Sequence, residues 1–211
     1  MTKVLGLCGS LRQGSRTWQA IRFALAGAKR GGAEIDGLRG RALEFPIFDP
    51  DLPLEAHPAG VATFLEKVRA ADAVILATPV YHGTVSGLLK NAVDYLELGA
   101  AWEQPYLAGK VCGLICVSGR QVNETALDAM QHIARALHCV TLPRVASVPR
   151  GAFDEAGQLV DVEHQRRLAA LGANLVMMAA RLAPPAPVSR ETLLYNNRVP
   201  AVEMNRLPSV R

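Results

Sequence analysis

Residues 78–97 constrain most strongly how this chain can fold, because they read in succession as a strand end, a polar loop and a helix start. The run at residues 73–78 is apolar and β-branched, as expected for a strand covered on both faces. Beyond the loop, apolar residues recur at helical spacing at Leu88, Leu89, Ala92, Val93 and Leu96. In open α/β sheets such loops lie at the carboxyl ends of strands, where ligands bind. We therefore expect a binding site at residues 79–87.

A second segment with the same strand-loop-helix order is GSLRQGSR at residues 9–16. It follows a predicted strand at residues 3–8, and its two glycines allow a tight turn. Hydroxyl and guanidinium groups suited to an anion occur at Ser10, Arg12, Ser15, Arg16 and Thr17. The helix dipole disfavours arginine at a helix N-terminus, so this pattern indicates a bound anion. We call residues 9–17 the phosphate loop.

The spacing in the phosphate loop excludes two common nucleotide-binding motifs. Neither G-x-G-x-x-G nor G-x-x-x-x-G-K-[ST] is present, because no glycine lies two residues after Gly9 and no lysine follows Gly14. Hydroxyl and guanidinium groups in place of a third glycine suit a terminal monophosphate better than a pyrophosphate laid along the backbone. The loop therefore predicts a mononucleotide such as FMN.

Both motifs resemble those of the NADPH-dependent FMN reductases, a family of flavodoxin-like flavin, quinone, azo and chromate reductases. The family pattern GS-x-R-x-x-S reads here as GSLRQGS, and P-x-Y or P-E-Y followed by SG-x-LKN-x-(I/L/V)-D reads as PVYHGTVSGLLKNAVD. The resemblance covers residues 1–182 and includes FPIFDPDLP at residues 45–53. Thr17 replaces a frequent asparagine but can still donate a hydroxyl to a phosphate. Val80 replaces a glutamate of many quinone reductases, and this change leaves the substrate subclass open.

The resemblance implies an FMN site formed by the loops after the first, third and fourth strands. The predicted cofactor-binding residues are Ser10, Arg12, Ser15, Arg16, Thr17, Pro79, Val80, Tyr81, His82, Gly83, Ser118, Gly119 and Arg120. We interpret His82 as a surface or hydrogen-bonding residue, because flavin hydride chemistry needs no protein acid. We predict neither a catalytic side chain nor a metal-binding residue. Lys90, Asn91 and Asp94 are interpreted as structural or interface residues.

Strand and helix patterns alternate along the chain. Strands are predicted at residues 3–8, 34–39, 73–78, 111–118 and 140–148, with helices between them and a last helix at 162–182. Alternation of this kind predicts an α/β, flavodoxin-like, doubly wound five-stranded parallel sheet of order 2-1-3-4-5 with helices on both faces. Its switch point lies between the first and third strands, which carry the two motif loops. Asn123 is a predicted N-cap for the fourth helix.

Length and composition predict one domain at residues 1–182, followed by a tail at 183–211. The tail is interrupted by prolines and is expected to be disordered or to form an oligomerisation arm through Leu193, Leu194 and Tyr195. The net charge of +4 comes from scattered Lys and Arg residues, so we expect attraction for phosphorylated cofactors and no nucleic-acid partner.

Four cysteines, Cys8, Cys112, Cys116 and Cys139, show no metal-ligand spacing, and we interpret them as buried reduced thiols. Cys112 and Cys116 would lie roughly 13 Å apart along a strand, which is too far for a disulfide. No signal peptide or membrane-spanning run is visible. We therefore expect a cytoplasmic protein with no membrane partner.

The resemblance implies an FMN-dependent NAD(P)H oxidoreductase that transfers hydride by a ping-pong mechanism to a flavin, quinone or similar small acceptor. It also implies a homodimer or homotetramer. Two alternatives remain: a flavodoxin-type electron carrier that does not use nicotinamide, and a flavin-supplying reductase of a two-component monooxygenase. Flavodoxins are typically acidic, whereas this chain has a pI near 9.0, which favours the reductase.

Overall fold

The computed structural model describes residues 1–119 and 124–182 of the chain. Three predictions lie outside this part: the cofactor-binding role of Arg120, the N-cap at Asn123, and the tail with Leu193, Leu194 and Tyr195. Within the described part, no helix combines the length and the hydropathy needed to cross a bilayer.

The fold is built on a parallel sheet. Its strands are β1 (Lys3–Cys8), β2 (Glu34–Arg39), β3 (Ala73–Pro79), β4 (Val111–Ser118), β5 (Val140–Thr141) and β6 (Ala146–Pro149). The hydrogen-bonded order is β2-β1-β3-β4-β5, and β6 also pairs with β4. The predicted flavodoxin-like topology is confirmed, and so are the predicted bounds of the first, second and fourth strands.

The prediction of one continuous strand at residues 140–148 is wrong. The chain instead forms β5, which pairs with β4 at Val111 and Cys112, and β6, which pairs with β4 from Ile115 to Ser118. Pro143 lies in the gap between them and has no N–H group to donate to a ladder. The fifth position of the sheet is therefore shared by two short strands.

Helices cover both faces of the sheet. They are α1 (Arg16–Arg30), α2 (Ala59–Ala70), α3 (Gly87–Asp94), α4 (Thr125–Ala136) and α5 (Val162–Leu182). One apolar core lies under α1 and α5, and the other lies under α2, α3 and α4. Leu96, predicted as part of the third helix, lies beyond its end in a 3-10 turn at Tyr95–Gly99. Glu124 occupies the N-cap position of α4 and makes no capping hydrogen bond through its side chain.

All four cysteines are free thiols, and Cys8, Cys112 and Cys116 are buried as predicted. The predicted burial of Cys139 is wrong, because this residue is half-buried.

Asn91 on α3 supports the FPIFDPDLP segment. Its Oδ1 accepts a hydrogen bond from the Phe48 N–H at 3.0 Å, and its Nδ2 donates to the carbonyls of Phe45 at 3.1 Å and Pro46 at 2.8 Å. The neighbouring Lys90 forms an exposed ion pair with Asp94. Asn91 therefore has a structural role, as the sequence interpretation proposed.

We expect Asn91→Ala to lower the free energy of unfolding by about 2–3 kcal/mol, because three hydrogen bonds are lost together. Lys90→Ala on the same helix is the matched control, and its loss should stay below about 1 kcal/mol because the ion pair is exposed. Urea unfolding followed by circular dichroism measures both. Equal losses in the two variants would contradict the structural role of Asn91.

Asp161 caps α5: its Oδ1 accepts a hydrogen bond from the backbone N–H of His164 at 2.8 Å. That bond, followed by the interaction with the His164 side chain, lowers the pKa of the Asp161 carboxyl. Because the pKa is lower in the folded state, the stabilisation is present above the unfolded-state pKa near 4 and is lost as the pH falls through the folded-state value.

Asp161→Ala should therefore be less stable than the parent protein at pH 7, and the difference should shrink as the pH falls below about 4. Asp161→Asn is the control, since asparagine also caps helices but carries no charge to titrate. Urea denaturation at both pH values measures the effect. A stability difference between parent and Asp161→Ala that does not change with pH would argue against this role.

Candidate functional site

The loops predicted to bind a cofactor leave the sheet at one edge. In the parallel register Cys8 of β1 lies beside Ala77 of β3, and Pro79 of β3 lies beside Val117 of β4. Backbone hydrogen bonds continue this alignment into the loops. The Gly9 N–H donates to the Ala77 carbonyl at 2.8 Å, and the Val80 N–H donates to the Val117 carbonyl at 2.9 Å. The loops after β1, β3 and β4 are therefore neighbours, and we call this region the loop edge.

The phosphate loop ends in a capped helix. Ser15 is the N-cap of α1, and its Oγ accepts a hydrogen bond from the Trp18 N–H at 3.1 Å. Ser10, Ser15 and Thr17 are buried, and Arg12 is exposed. The first backbone N–H groups of an α-helix have no acceptor within the helix, so those of Arg16 and Thr17 can bind an anion.

Ser86 joins the phosphate loop to the loop after β3. Its Oγ donates to the Gly9 carbonyl at 2.7 Å and accepts from the Leu89 N–H at 3.2 Å, while its own N–H donates to Thr78 Oγ1 at 2.8 Å. A Cβ on Gly9 would lie 2.6 Å from this Oγ, so the contact requires glycine. The sequence analysis did not single out Ser86, although it lies in the SG-x-LKN pattern.

The loop after β3 contains a tight turn at Tyr81–Thr84. The N–H and carbonyl groups of Tyr81 and Thr84 bond to each other at 3.2 and 3.1 Å. His82 and Gly83 both have positive φ, at 51° and 83°, which defines a type I′ turn. The Thr125 hydroxyl of α4 donates to the Gly83 carbonyl. Tyr81 and His82 are thereby presented to solvent on a backbone fixed from two sides.

Two buried polar atoms at the loop edge, Arg16 Nε and Ser118 Oγ, have no hydrogen-bond partner within the described residues. Leaving such groups unpaired costs about 1–3 kcal/mol each, more when they are charged. Among the described residues, a Cβ added at Gly14 or Gly119 would meet nothing within 4 Å, so these residues leave space open beside both glycines. A phosphorylated flavin with polar ring and ribityl atoms fits this arrangement of donors and open space.

Sequence reasoning did not identify the loop after β6, which also reaches this region. The Arg150 N–H donates to the Gly119 carbonyl at 2.9 Å, and the Arg16 guanidinium lies over the Phe153 ring at 5.9 Å. A cavity of about 410 Å³ is lined by Arg16, Gly119, Arg150, Gly151, Phe153, Asp154 and Glu155. The strand order could have indicated this loop, because it follows a strand that is parallel to the others and therefore ends at the same edge of the sheet.

Cys8 lies directly beneath the phosphate loop. Its Sγ is 3.8 Å from Ser15 Oγ, and burial raises the pKa of the thiol. The thiol is therefore protonated near neutral pH and packs as part of the core.

Apart from Arg120, every residue predicted to bind the cofactor lies at the loop edge, on the phosphate loop or at the ends of β3 and β4. The structure brings them together as expected from the strand order.

Comparison with known proteins assigns the chain to a family. The sequence model of a family described as NADPH-dependent FMN reductase matches residues 2–153. This chain belongs to the NADPH-dependent FMN reductase family. It is accordingly an oxidoreductase, and FMN and NAD(P)H are the cofactors expected of it.

Relatives agree with the family assignment. An NAD(P)H-dependent FMN reductase of Pseudomonas aeruginosa is 33% identical over 169 residues, covering 75% of this chain and 85% of that protein. An FMN-dependent NADPH-azoreductase of Staphylococcus haemolyticus is 32% identical, covering 67% of this chain and 73% of that protein. A quinone reductase of Escherichia coli K12 is 38% identical over 109 residues, covering 51% of this chain and 55% of that protein.

Solved structures share the fold at lower identity. The NAD(P)H:(acceptor) oxidoreductase FerB of Paracoccus denitrificans superimposes with a TM-score of 0.69 at 21% identity, covering 86% of this chain and 98% of that chain. An archaeal flavodoxin superimposes with a TM-score of 0.60 at 11% identity, covering 85% of this chain and 99% of that chain. The fold is thus common to reductases and electron carriers and does not distinguish the two classes. The family match does distinguish them, and it assigns this chain to the reductases.

Proposed function

We propose that this reductase binds FMN at the loop edge and passes hydride from NAD(P)H to a flavin, a quinone or a similar small acceptor. The observation that carries the proposal is the pair of buried atoms Arg16 Nε and Ser118 Oγ, which have no hydrogen-bond partner among the described residues and lie at the loop edge with the capped N-terminus of α1. A polar ligand would satisfy both atoms, and the helix N-terminus favours a phosphate. The named activities of the relatives support the choice of acceptors.

In this proposal the phosphate loop binds the FMN phosphate through Ser10, Arg12, Ser15, Arg16 and Thr17. Residues 79–83 and 118–119 flank the ring, where their hydrogen-bond donors orient it and the shape of the loops limits access to it. When bound, FMN supplies the hydride chemistry, accepting hydride from the nicotinamide and delivering it to the acceptor. The protein contributes binding, orientation and shape.

We further propose that residues 1–182 form one cytoplasmic domain that assembles as a homodimer or homotetramer, with the tail at 183–211 as an arm of the assembly. Support for the domain comes from α5, since Leu168, Leu171 and Leu175 are buried in one of the two cores. The four free thiols are typical of a reducing compartment. The oligomer is inferred from the family resemblance alone.

An anaerobic absorbance scan across the flavin bands tests the proposal. Purified full-length protein is loaded with FMN, and spectra are recorded before and after NADPH or, in a separate sample, NADH, and then after a quinone. We expect bleaching by the nicotinamide and recovery on adding the quinone. Bound flavin that neither NADPH nor NADH bleaches would indicate an electron carrier instead, and failure to bind flavin would overturn the proposal.

His82 provides a second test, because it lies in the turn after β3 and histidine is the side chain that most often acts as a general acid or base. We expect His82→Asn to leave the rate of hydride transfer within about twofold of the parent, since a general acid-base group typically contributes a hundredfold or more. Asparagine is chosen because it tolerates the positive φ of 51° at this position. Stopped-flow flavin reduction measures the rate, and a fall of about a hundredfold would assign His82 a catalytic role.

A further inference from the structure

The chain between β6 and α5 forms a turn that packs against the phosphate loop. Phe153 and Leu159 face each other across this turn in an antiparallel bridge, and both are buried. Gly157 lies close to the phosphate loop, because a Cβ on this residue would be 3.6 Å from the Gly14 carbonyl oxygen. We call residues 153–159 the β6–α5 turn.

Hydrogen bonds hold the β6–α5 turn in one shape. The Asp154 N–H donates to the Gln158 carbonyl at 2.9 Å, and the Gly157 N–H donates to the Asp154 carbonyl at 3.0 Å. Asp154 Oδ1 also accepts a hydrogen bond from the Gln158 N–H at 2.7 Å. The Leu159 carbonyl accepts from Gln165 Nε2 on α5 at 2.8 Å. The turn is therefore closed on itself and joined to α5.

Arg16, the first residue of α1, lies against this turn with both its aliphatic stem and its guanidinium group. A Cβ on Gly157 would be 4.0 Å from Arg16 Cγ, and the guanidinium lies over the Phe153 ring at 5.9 Å. Phe153 is only 8% exposed and belongs to the core under α1 and α5, so its ring is fixed by packing. A cation over a ring face is attracted by the ring quadrupole. The turn thereby restricts the conformations of the Arg16 side chain.

The charge of Arg16 remains available for a ligand. Its buried Nε has no hydrogen-bond partner among the described residues. Asp154 and Glu155 line the same cavity, but neither forms an ion pair with Arg16 within the described part of the chain. An aromatic ring orients a guanidinium group without neutralising it, whereas a carboxylate would compete with an anionic ligand.

We propose that Phe153 is a positioning residue for FMN binding, because its ring holds Arg16 in the orientation that meets the FMN phosphate. The inference rests on the proposed function, in which Arg16 is one of the phosphate ligands. A phenyl ring has no donor for an anion, so Phe153 acts through Arg16. Without the ring, the long arginine side chain would be ordered only on binding, and the lost side-chain entropy would weaken the complex.

A comparison of FMN with riboflavin, which lacks the phosphate, tests this role. Quenching of flavin fluorescence during titration of the full-length protein gives both Kd values. We expect the parent to bind FMN about tenfold or more tightly than riboflavin, and Phe153→Leu to narrow this ratio by about threefold to tenfold. Damage to the core alone would raise both Kd values together and leave the ratio unchanged.

Two control variants separate the ring from the packing. Phe153→Tyr keeps the ring face and should retain the parent ratio within about twofold. Phe23→Leu makes the same change as Phe153→Leu at a half-buried phenylalanine of α1 that packs against the same core, and it should also retain the parent ratio. If circular dichroism shows that Phe153→Leu does not fold, Phe153→Met replaces it, since methionine adapts its shape to fill gaps in a core.

A double-mutant cycle tests whether Phe153 acts through Arg16. In the Arg16→Gln background, Phe153→Leu should change the ratio of the two Kd values no further, because the side chain that it positions is absent. Equal narrowing by Phe153→Leu with and without Arg16 would overturn the inference. So would an equally narrowed ratio in Phe153→Tyr and Phe153→Leu, since the ring face would then have no role.

The same titrations distinguish failure of this inference from failure of the proposed function. If Arg16→Gln narrows the ratio and Phe153→Leu leaves it unchanged, the phosphate site stands and the positioning role is refuted. If the parent binds FMN and riboflavin equally, or binds neither, the proposed phosphate site is itself wrong, and the role of Phe153 is refuted with it.

Discussion

Gly172→Ala is expected to lower the free energy of unfolding by at least about 3 kcal/mol, because α1 and α5 meet backbone to backbone at this position. A Cβ on Gly172 would lie 1.8 Å from the Ala24 carbonyl oxygen, and one on Gly27 would lie 2.0 Å from the Ala169 carbonyl oxygen. Neither contact can be relieved by rotating a side chain, so the two helices must separate. Such a loss is a large part of the 5–15 kcal/mol that typically stabilises a domain.

Gly60→Ala is the matched control for this substitution. Gly60 also lies in a helix, α2, but a Cβ there would meet only the Phe45 ring at an ordinary 3.5 Å. Alanine favours helix more than glycine does, so this variant should be as stable as the parent or more stable by up to about 1 kcal/mol. Urea unfolding compares the variants. Equal stability of Gly172→Ala and Gly60→Ala would contradict the close contact of α1 and α5.

Arg16→Gln is expected to raise the Kd for FMN by about tenfold to a hundredfold, corresponding to the 1.5–3 kcal/mol typical of a hydrogen bond to a charged group. Arg16 begins α1, where its cationic group opposes the helix dipole, and its buried Nε has no partner within the described residues. A bound phosphate would supply the missing partner and the opposite charge. Quenching of flavin fluorescence during titration measures the Kd.

Thermal unfolding separates a binding effect from a folding effect in this variant. Since Arg16 Nε has no hydrogen-bond partner among the described residues, Arg16→Gln should melt near the parent temperature in the absence of FMN, and FMN should raise its Tm by less. Arg22→Gln, an exposed position on the same helix, should bind FMN like the parent. An unchanged Kd in Arg16→Gln would remove Arg16 from the proposed phosphate site.

Much of the fold could be predicted from local sequence patterns. The strands at Lys3–Cys8, Glu34–Arg39 and Val111–Ser118 and the helix at Val162–Leu182 have the predicted bounds. Hydrophobic periodicity and helix propensity act over a few residues, so they are readable from the chain itself. Their alternation, combined with the right-handed crossover rule, also determined the strand order and therefore which loops would meet.

Contacts between distant segments could not be read in this way. Ser86 bonds to Gly9 across 77 residues, and the Arg16 guanidinium lies over Phe153. Both contacts depend on how far each loop extends from its strand, which no local pattern specifies. The division of the fifth strand position, by contrast, has a local signal in Pro143, which has no N–H group to donate to a ladder.

The sequence by itself determined the parallel α/β sheet, the family motifs and the residues of the phosphate loop, because each depends on the order and chemistry of neighbouring residues. Only the tertiary structure decided which buried groups at the loop edge have no partner in the described part of the chain, and that Arg39 and Arg41 share a cavity with Arg12. These features depend on the packing of Trp18 against Gly37 and of α1 against α5. Burial and proximity are properties of the packed chain, so they become readable only when the whole fold is in place.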